Sequence, residues 1–221
     1  MLGKLKSSII QDFENSFVQN CLILWGEAFA FIKANKTVTI DWEEENISAL
    51  FFDYIDKSEH AINLHINIFS EYRLLNDSIL SQEQSAKSAS RIDFRFTKDW
   101  TNQLKRIEFF IEAKNLIEND CFKAGIKTKV YAHKLHERYI ETGIDNFVSG
   151  KYPSKGCLVG YVLEGMPDNI ILKINSNLKT RNRQQEKLYK IETNILALEY
   201  TFCSTHEDFL LNHYFLKFNK I

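Results

Sequence analysis

Two neighbouring segments set the tightest limit on how this chain can fold: Arg91-Ile92-Asp93-Phe94-Arg95-Phe96 and Phe109-Phe110-Ile111-Glu112-Ala113-Lys114. Both read as strands. In the second, Glu112 and Lys114 stand two residues apart, so they point to one face. The lead-in Phe109-Phe110-Ile111 is too apolar for a surface strand. A carboxylate and an ammonium at the end of a buried strand are costly to desolvate unless they pair with each other or with a metal. Asp93, on the neighbouring strand, can complete a cluster of two carboxylates and one lysine. A third segment, residues 157–163, is a nearly continuous apolar run, as expected of a strand covered on both faces.

The rest of the chain supplies the cover. Over residues 7–34, Ile9, Phe13, Phe17, Cys21, Leu24 and Ala28 fall at steps of three and four, with Asp12, Glu14 and Asn15 opposite, which predicts an amphipathic helix. Asp41 is the expected N-cap of a second helix, with Glu43, Glu44 and Glu45 in its first turn and Ile47, Leu50, Phe51, Tyr54 and Ile55 as its apolar face. Residues 61–70 alternate in part (Ile62, Leu64, Ile66, Ile68) and read as a strand. Residues 76–90 read as a loop or solvated helix, 115–123 as the start of a helix or loop, and 130–147 as mainly helical with an interruption at Gly143. Residues 166–178 read as a helix with Ile170, Ile171, Ile174 and Leu178 as its stripe, and strand signals close the chain at 196–203 and 213–218. This order predicts a mixed α/β core. The expected division is a helical extension over 1–40 and the main domain over 41–221. The first helix, around Phe13, Phe17 and Leu24, either caps the core or offers a contact surface.

A hydrophobic content of 44% excludes a disordered chain, and two prolines with eight glycines leave no room for a long linker, so one cooperative unit is expected. The net charge of −1 gives no overall basic bias, so a nucleic-acid contact has to come from a local patch. The candidate patch is Lys123, Lys127, Lys129, Lys134 and Arg138, interleaved with Tyr131, His133 and His136. A solvated face is the competing reading for each of these cations, as for Lys151, Lys155, Lys179, Arg181 and Arg183. Cys21, Cys121, Cys157 and Cys203 form no CxxC pair, which argues against a zinc site or disulfide framework and for a reducing cytoplasm. No apolar run follows Met1–Lys6, so no signal peptide is expected, and residues 21–32, interrupted by Glu27, are too short to span a bilayer. His206 is a candidate general base or a hydrogen-bonded structural histidine. Trp25, Trp42 and Trp100 are expected to be packing residues.

On these residues the chain resembles the PD-(D/E)xK, or restriction-endonuclease-like, superfamily. Asp93 on one strand and Glu112-Ala113-Lys114 on the next match its D…(D/E)xK signature. The helix bearing Glu44 and Glu45 fits the extra acid that many members carry on their first core helix. The stretch from Tyr139-Ile140-Glu141-Thr142-Gly143 through Tyr152, with Gly160-Tyr161-Val162, is similar to bacterial proteins of this superfamily associated with antiphage defence. Ser204-Thr205-His206 and His213-Tyr214-Phe215-Leu216 fit the same group. One residue departs from the pattern: Ile92 stands where a proline often precedes the acid.

The resemblance implies a restriction-endonuclease-like mixed β-sheet core flanked by helices, and a Mg²⁺-dependent nuclease, with Mn²⁺ as a substitute, acting on DNA. Asp93, Glu112 and the backbone carbonyl of Ala113 would hold the ion, since Mg²⁺ takes hard oxygen ligands. Lys114 would orient the water or stabilise charge on the phosphorus. Glu45, in preference to Glu44, is the expected further acid. Target choice would come from a partner subunit, a homodimer or nucleic-acid structure. Two alternatives stay open: a non-catalytic nucleic-acid- or protein-binding module that keeps the fold, and an RNase, because such a site acts on the phosphate and ignores the 2′-OH. A plain hairpin with Glu112 and Lys114 as a solvated pair gives the same local pattern.

Overall fold

The computed structural model describes residues 7–75, 77–83, 85, 87, 89–99, 106–124 and 128–218. Lys127 and Trp100 lie outside them. Helix α1 (Ser7–Asn35) is followed by α2 (Glu44–Asp56), α3 (Glu59–Leu64), β1 (Asn67–Leu74), the short α4 (Asp77–Leu80), β2 (Ser90–Asp99) and β3 (Arg106–Ile117). A small hairpin, β4 (Cys121–Phe122) and β5 (Lys129–Val130), leads into α5 (Ala132–Arg138). A π-helical turn, Tyr139–Ile144, joins α5 to α6 (Asp145–Val148). The chain ends with β6 (Gly156–Glu164), α7 (Pro167–Thr180), β7 (Tyr189–Lys190), β8 (Thr201–Thr205) and β9 (Leu210–Lys217).

Among the described residues one seven-stranded sheet runs in the order β1-β2-β3-β6-β9-β8-β7. β6 pairs in parallel with β3 and β9, and the other neighbours are antiparallel. A parallel neighbour requires a crossover, which α5, the π-helical turn and α6 provide. Both faces of the centre are covered, as the apolar run at 157–163 predicts. On one face α1 and α2 pack against Phe94, Phe96, Ile111, Val159 and Tyr161. On the other, the α5–α6 segment and α7 pack against Ile92, Phe110, Leu158, Val162 and Phe215. The protein is a mixed α/β sandwich with helices on both sides of its sheet.

The predicted stripe of α1 is buried from Phe17 onward, while Ile9 is exposed. Its anchor, Trp25, has no exposed surface. The Trp25 ring stacks on Phe51 of α2 with centroids 4.2 Å apart and meets Phe94 of β2 edge-on at 4.8 Å. Such pairs add about 0.5–1.5 kcal/mol each beyond their buried area. Helix α1 thus shares one apolar core with α2, β2 and β6. No helix among the described residues is long and apolar enough to cross a membrane.

Four local expectations give way. Of residues 61–70, read as one strand, 67–70 lie in β1, but 61–64 belong to helix α3: the Ser58 hydroxyl caps it by accepting the Ala61 N–H, and His65 closes it at φ 54°. Asp41 is not the cap of α2; Glu43 holds that position, and the Asp41 carboxylate instead accepts the Ala124 N–H at 2.6 Å. Residues 115–117, read as helix or loop, continue β3, because parallel pairing with β6 extends to Ile117↔Glu164. The strand signal at 196–203 shifts to Thr201–Thr205, after a turn that places Ala197 at φ 67°, while that at 213–218 falls in β9.

Candidate active site

The site forms where β2 and β3 part. Their antiparallel register runs from Asp99↔Arg106 to Phe94↔Ile111 and stops there, one residue short of Asp93 and Glu112. β1 is irregular at the same level. Glu71, between the pairs Ser70↔Phe94 and Tyr72↔Ile92, has a φ of 50°, a left-handed conformation unfavourable for a side chain with a Cβ. The Asp93 carboxylate accepts the Ala113 N–H at 2.6 Å, a bond to β3 in place of a ladder bond. The Tyr152 hydroxyl, from the loop before β6, closes the gap. It lies 2.9 Å from the Arg91 carbonyl oxygen and 3.2 Å from Glu112 Oε1, so its one proton serves either acceptor.

Glu112 and Lys114 share a face of β3 with Phe110 and Leu116, which belong to the core beneath α5–α6 and α7. That placement buries both charged residues to 4% exposure. Lys114 Nζ donates to Glu112 Oε1 at 2.5 Å, to the Ala113 carbonyl at 2.8 Å and to Glu44 Oε1 at 3.4 Å. Glu44, the first residue of α2, is itself buried. Its other oxygen accepts the Asn115 N–H at 3.1 Å, and Arg138 of α5 reaches Oε1 at 3.4 Å. The Asn115 amide fixes the approach of α2 by donating to the Trp42 carbonyl at 3.0 Å.

Burial, reinforced by the Glu112 charge, pushes the Asp93 carboxyl well above its usual range, and Lys114 and the Ala113 N–H offset only part of this. Burial also raises Glu112, against the pull of Lys114. Burial acts to lower Lys114, but Glu112, Glu44 and Asp93 outweigh it and hold the ammonium above its ordinary range. Shifts of this kind arise where several acids crowd a dry site around one cation. The second oxygen of Glu112 is buried without a hydrogen-bond partner, as is Asn115 Oδ1. An orphaned carboxylate oxygen at such a place is an acceptor with no N–H or O–H facing it, and a hard cation is a group its lone pair suits. Among the described residues, however, no three Asp, Glu, His or Cys side chains gather at metal-ligand spacing: Glu112 and Glu44 each turn an oxygen to the Lys114 ammonium, and Asp93 turns one to the Ala113 N–H.

The structure therefore brings together Asp93, Glu112, Lys114 and the Ala113 carbonyl. Glu45 is not among them: it is exposed, and the adjacent Glu44 holds the position, since the first turn of α2 directs only one of the two inward. The basic stretch is less available than its sequence implies. Lys123 pairs with Glu43, Lys129 with Asp120 at 2.9 Å, and Arg138 with Glu44. Lys134 lies over the Tyr131 ring, 5.0 Å from its centroid. Lys155, Arg181 and Arg183 are likewise paired with Glu14, Glu141 and Asp145. His206 stands outside the cluster, in a buried chain on β8 and β9 in which Ser204 Oγ lies 2.8 Å from both His206 and His213, and His213 lies 2.9 Å from Tyr139. Tyr152 and Asn115 are the site residues that sequence reasoning missed. No local pattern marks either, because their roles depend on the parting of β2 from β3 and on the docking of α2.

Comparison of the chain with models of known protein families, with curated proteins and with solved structures finds no match to any of them.

Proposed function

We propose that this chain is a divalent-cation-dependent nuclease of PD-(D/E)xK type that cuts phosphodiester bonds, in DNA ahead of RNA. The observation that carries this reading is the pairing of Glu112 and Glu44 with Lys114 beside Asp93, which the Ala113 N–H holds on the neighbouring strand, with Glu112 Oε2 buried and unpartnered. The surrounding topology supports it. An antiparallel meander β1–β2–β3, then a helical crossover to a parallel β6, sets Asp93 and Glu112 side by side within their strands, where the β2–β3 pairing stops, and leaves them unpaired with each other. This is consistent with the restriction-endonuclease-like core that the D…(D/E)xK residues imply.

Mg²⁺ or Mn²⁺, held by Asp93, Glu112 and the Ala113 carbonyl, would supply Lewis-acid stabilisation of charge on the phosphate. The protein's own groups divide the remaining work. Asp93 is fixed by the Ala113 N–H, which keeps its carboxylate where β2 and β3 part. Tyr152 orients Glu112. Glu44 anchors α2 to β3 through the Asn115 N–H and holds Lys114 from the other side. Lys114 carries the positive charge that would meet the phosphate or the attacking water. A role in bacterial antiphage defence, with target choice by a partner subunit or second copy, follows from the resemblance alone.

The test is incubation of the purified protein with plasmid, linear and single-stranded DNA and with RNA, in Mg²⁺ or Mn²⁺. EDTA and Lys114→Ala serve as controls. Cleavage lost in both controls supports the reading and identifies the substrate. Absence of cleavage on every substrate, with the fold intact, favours the rival, a non-catalytic binding module. One observation gives that rival weight: Lys114 already neutralises the acids it would need to leave.

A further inference from the structure

We propose, on the basis of the nuclease reading above, that Lys114 is the resident cation of this site. Its ammonium fills the oxygen cage when no divalent ion is present, and it is expelled when one binds. An ammonium has three N–H protons, and here all three are committed: to Glu112 Oε1 at 2.5 Å, to the Ala113 carbonyl at 2.8 Å and to Glu44 Oε1 at 3.4 Å. Two of these acceptors, Glu112 and the Ala113 carbonyl, are the oxygens assigned to the divalent ion. A divalent ion that binds through Glu112 Oε1 and the Ala113 carbonyl takes the lone pairs that hold the ammonium, and so competes with Lys114 for them. With its side chain 5% exposed, Lys114 has no proton left for a phosphate.

The arrangement solves a problem that a cluster of acids otherwise poses. Asp93, Glu112 and Glu44 would repel one another in a dry site, and the uncompensated charge would oppose folding. Lys114 supplies one positive charge from within the same strand, so the site can be assembled before any ion arrives. A divalent ion brings two charges to the same oxygens and frees the ammonium. Ion binding and release of Lys114 thereby become one event: the lysine becomes able to meet substrate only in molecules that hold the ion. Tyr152 and Asn115 remain in place in both states, bonded to Arg91 and Trp42 backbone oxygens that do not depend on Lys114.

Amine footprinting of the wild-type protein tests this directly. The chain is treated briefly with an N-hydroxysuccinimide ester in EDTA, in Ca²⁺ and in Mn²⁺, and modification of each lysine is read by mass spectrometry. Lys57, 71% exposed, is the internal reference. Thermal unfolding of wild type and Glu112→Gln is followed in the same buffers. Lys114 is expected to be protected in EDTA and to gain roughly tenfold in modification at saturating cation, as the buried population gives way to the released one. The cation should raise the unfolding temperature of wild type but not of Glu112→Gln. If the cation stabilises wild type through Glu112 while Lys114 stays protected, the displacement idea fails and the nuclease reading stands. Modification of Lys114 already in EDTA overturns the displacement alone. If neither cation changes stability or labelling, both fall.

Discussion

Replacing Lys114 by Met should cost the metal-free protein several kcal/mol, and the cost should depend on pH in one direction. The methionine keeps most of the side-chain volume but removes the cation from a site in which Glu112 and Glu44 are 5% and 9% exposed. Removing one partner of a buried ion pair typically costs about 3–5 kcal/mol, because a charge is left buried and uncompensated. For a chain of this length that is a fall in Tm of about 10 °C. Asp93 and Glu112 already sit above the usual carboxylate range when folded, so the native state holds protons that the unfolded state has released. Over that window stability falls as pH rises. Without Lys114 the acids rise further, so the window extends upward. The deficit of Lys114→Met should therefore be small near about pH 5 and full by about pH 8. Urea unfolding in EDTA, monitored by tryptophan fluorescence at a series of pH values, measures it. A variant as stable as wild type at the alkaline end, or one whose deficit grows toward acid, would refute the argument.

Other outcomes follow from the same geometry. Tyr152→Phe removes the hydroxyl between the Arg91 carbonyl and Glu112, and should lower stability by about 1–2 kcal/mol in urea titrations. Glu44→Ala should cost about 1–3 kcal/mol and abolish cleavage, whereas Glu45→Ala should stay within about 0.5 kcal/mol of wild type and keep it. Gly160→Ala would place a methyl 2.6 Å from Leu116 Cδ1 and 2.9 Å from Phe215 Cδ1, and calorimetry should register a loss of about 1–3 kcal/mol. Burial pushes His213 down to about 3, so it stays neutral when folded while its unfolded counterpart charges near its ordinary value. Between those two values stability falls as pH falls, by up to about 1.4 kcal/mol per unit for this one group, and His213→Gln should flatten the acid limb by that slope.

Much of the sheet could be read directly from the sequence where one physical signal dominates. The apolar run at 157–163 needs cover on both faces, and β6 has it. The stripe Phe17, Cys21, Leu24 and Ala28 is long enough to exclude any other reading of α1. Residues 61–64 misled because Ile62 and Leu64 suit two periods at once, and Ser58, outside the apolar pattern, decides between them, while 67–70 form the expected strand. Residues 115–117 misled because a strand continues there only by virtue of its parallel neighbour, a contact of long sequence separation. Asp93, Glu112 and Lys114 were legible because charge after an apolar strand lead-in demands an explanation, although β3 runs on past Lys114 to Ile117 instead of ending there. The choice between Glu44 and Glu45 was not, since adjacent acids in a first helical turn look alike until the helix has docked. The basic stretch overstated its free charge because Glu43 and Asp120, which neutralise Lys123 and Lys129, cannot be matched to them from sequence alone.

The position of β6 at the middle of the sheet has a consequence for synthesis. It is the strand that gives β3 its second neighbour, yet it follows β3 in the chain by the whole of the β4–β5 hairpin and the α5–α6 crossover. A nascent chain emerging from the ribosome can pair β1, β2 and β3 from neighbouring sequence, but parallel pairing has to await distant sequence. Glu112 and Lys114 are thus made early and sealed late. While the chain grows they stand in water, where their charges cost little, and they are desolvated only when Tyr152 and β6 arrive together to close over them.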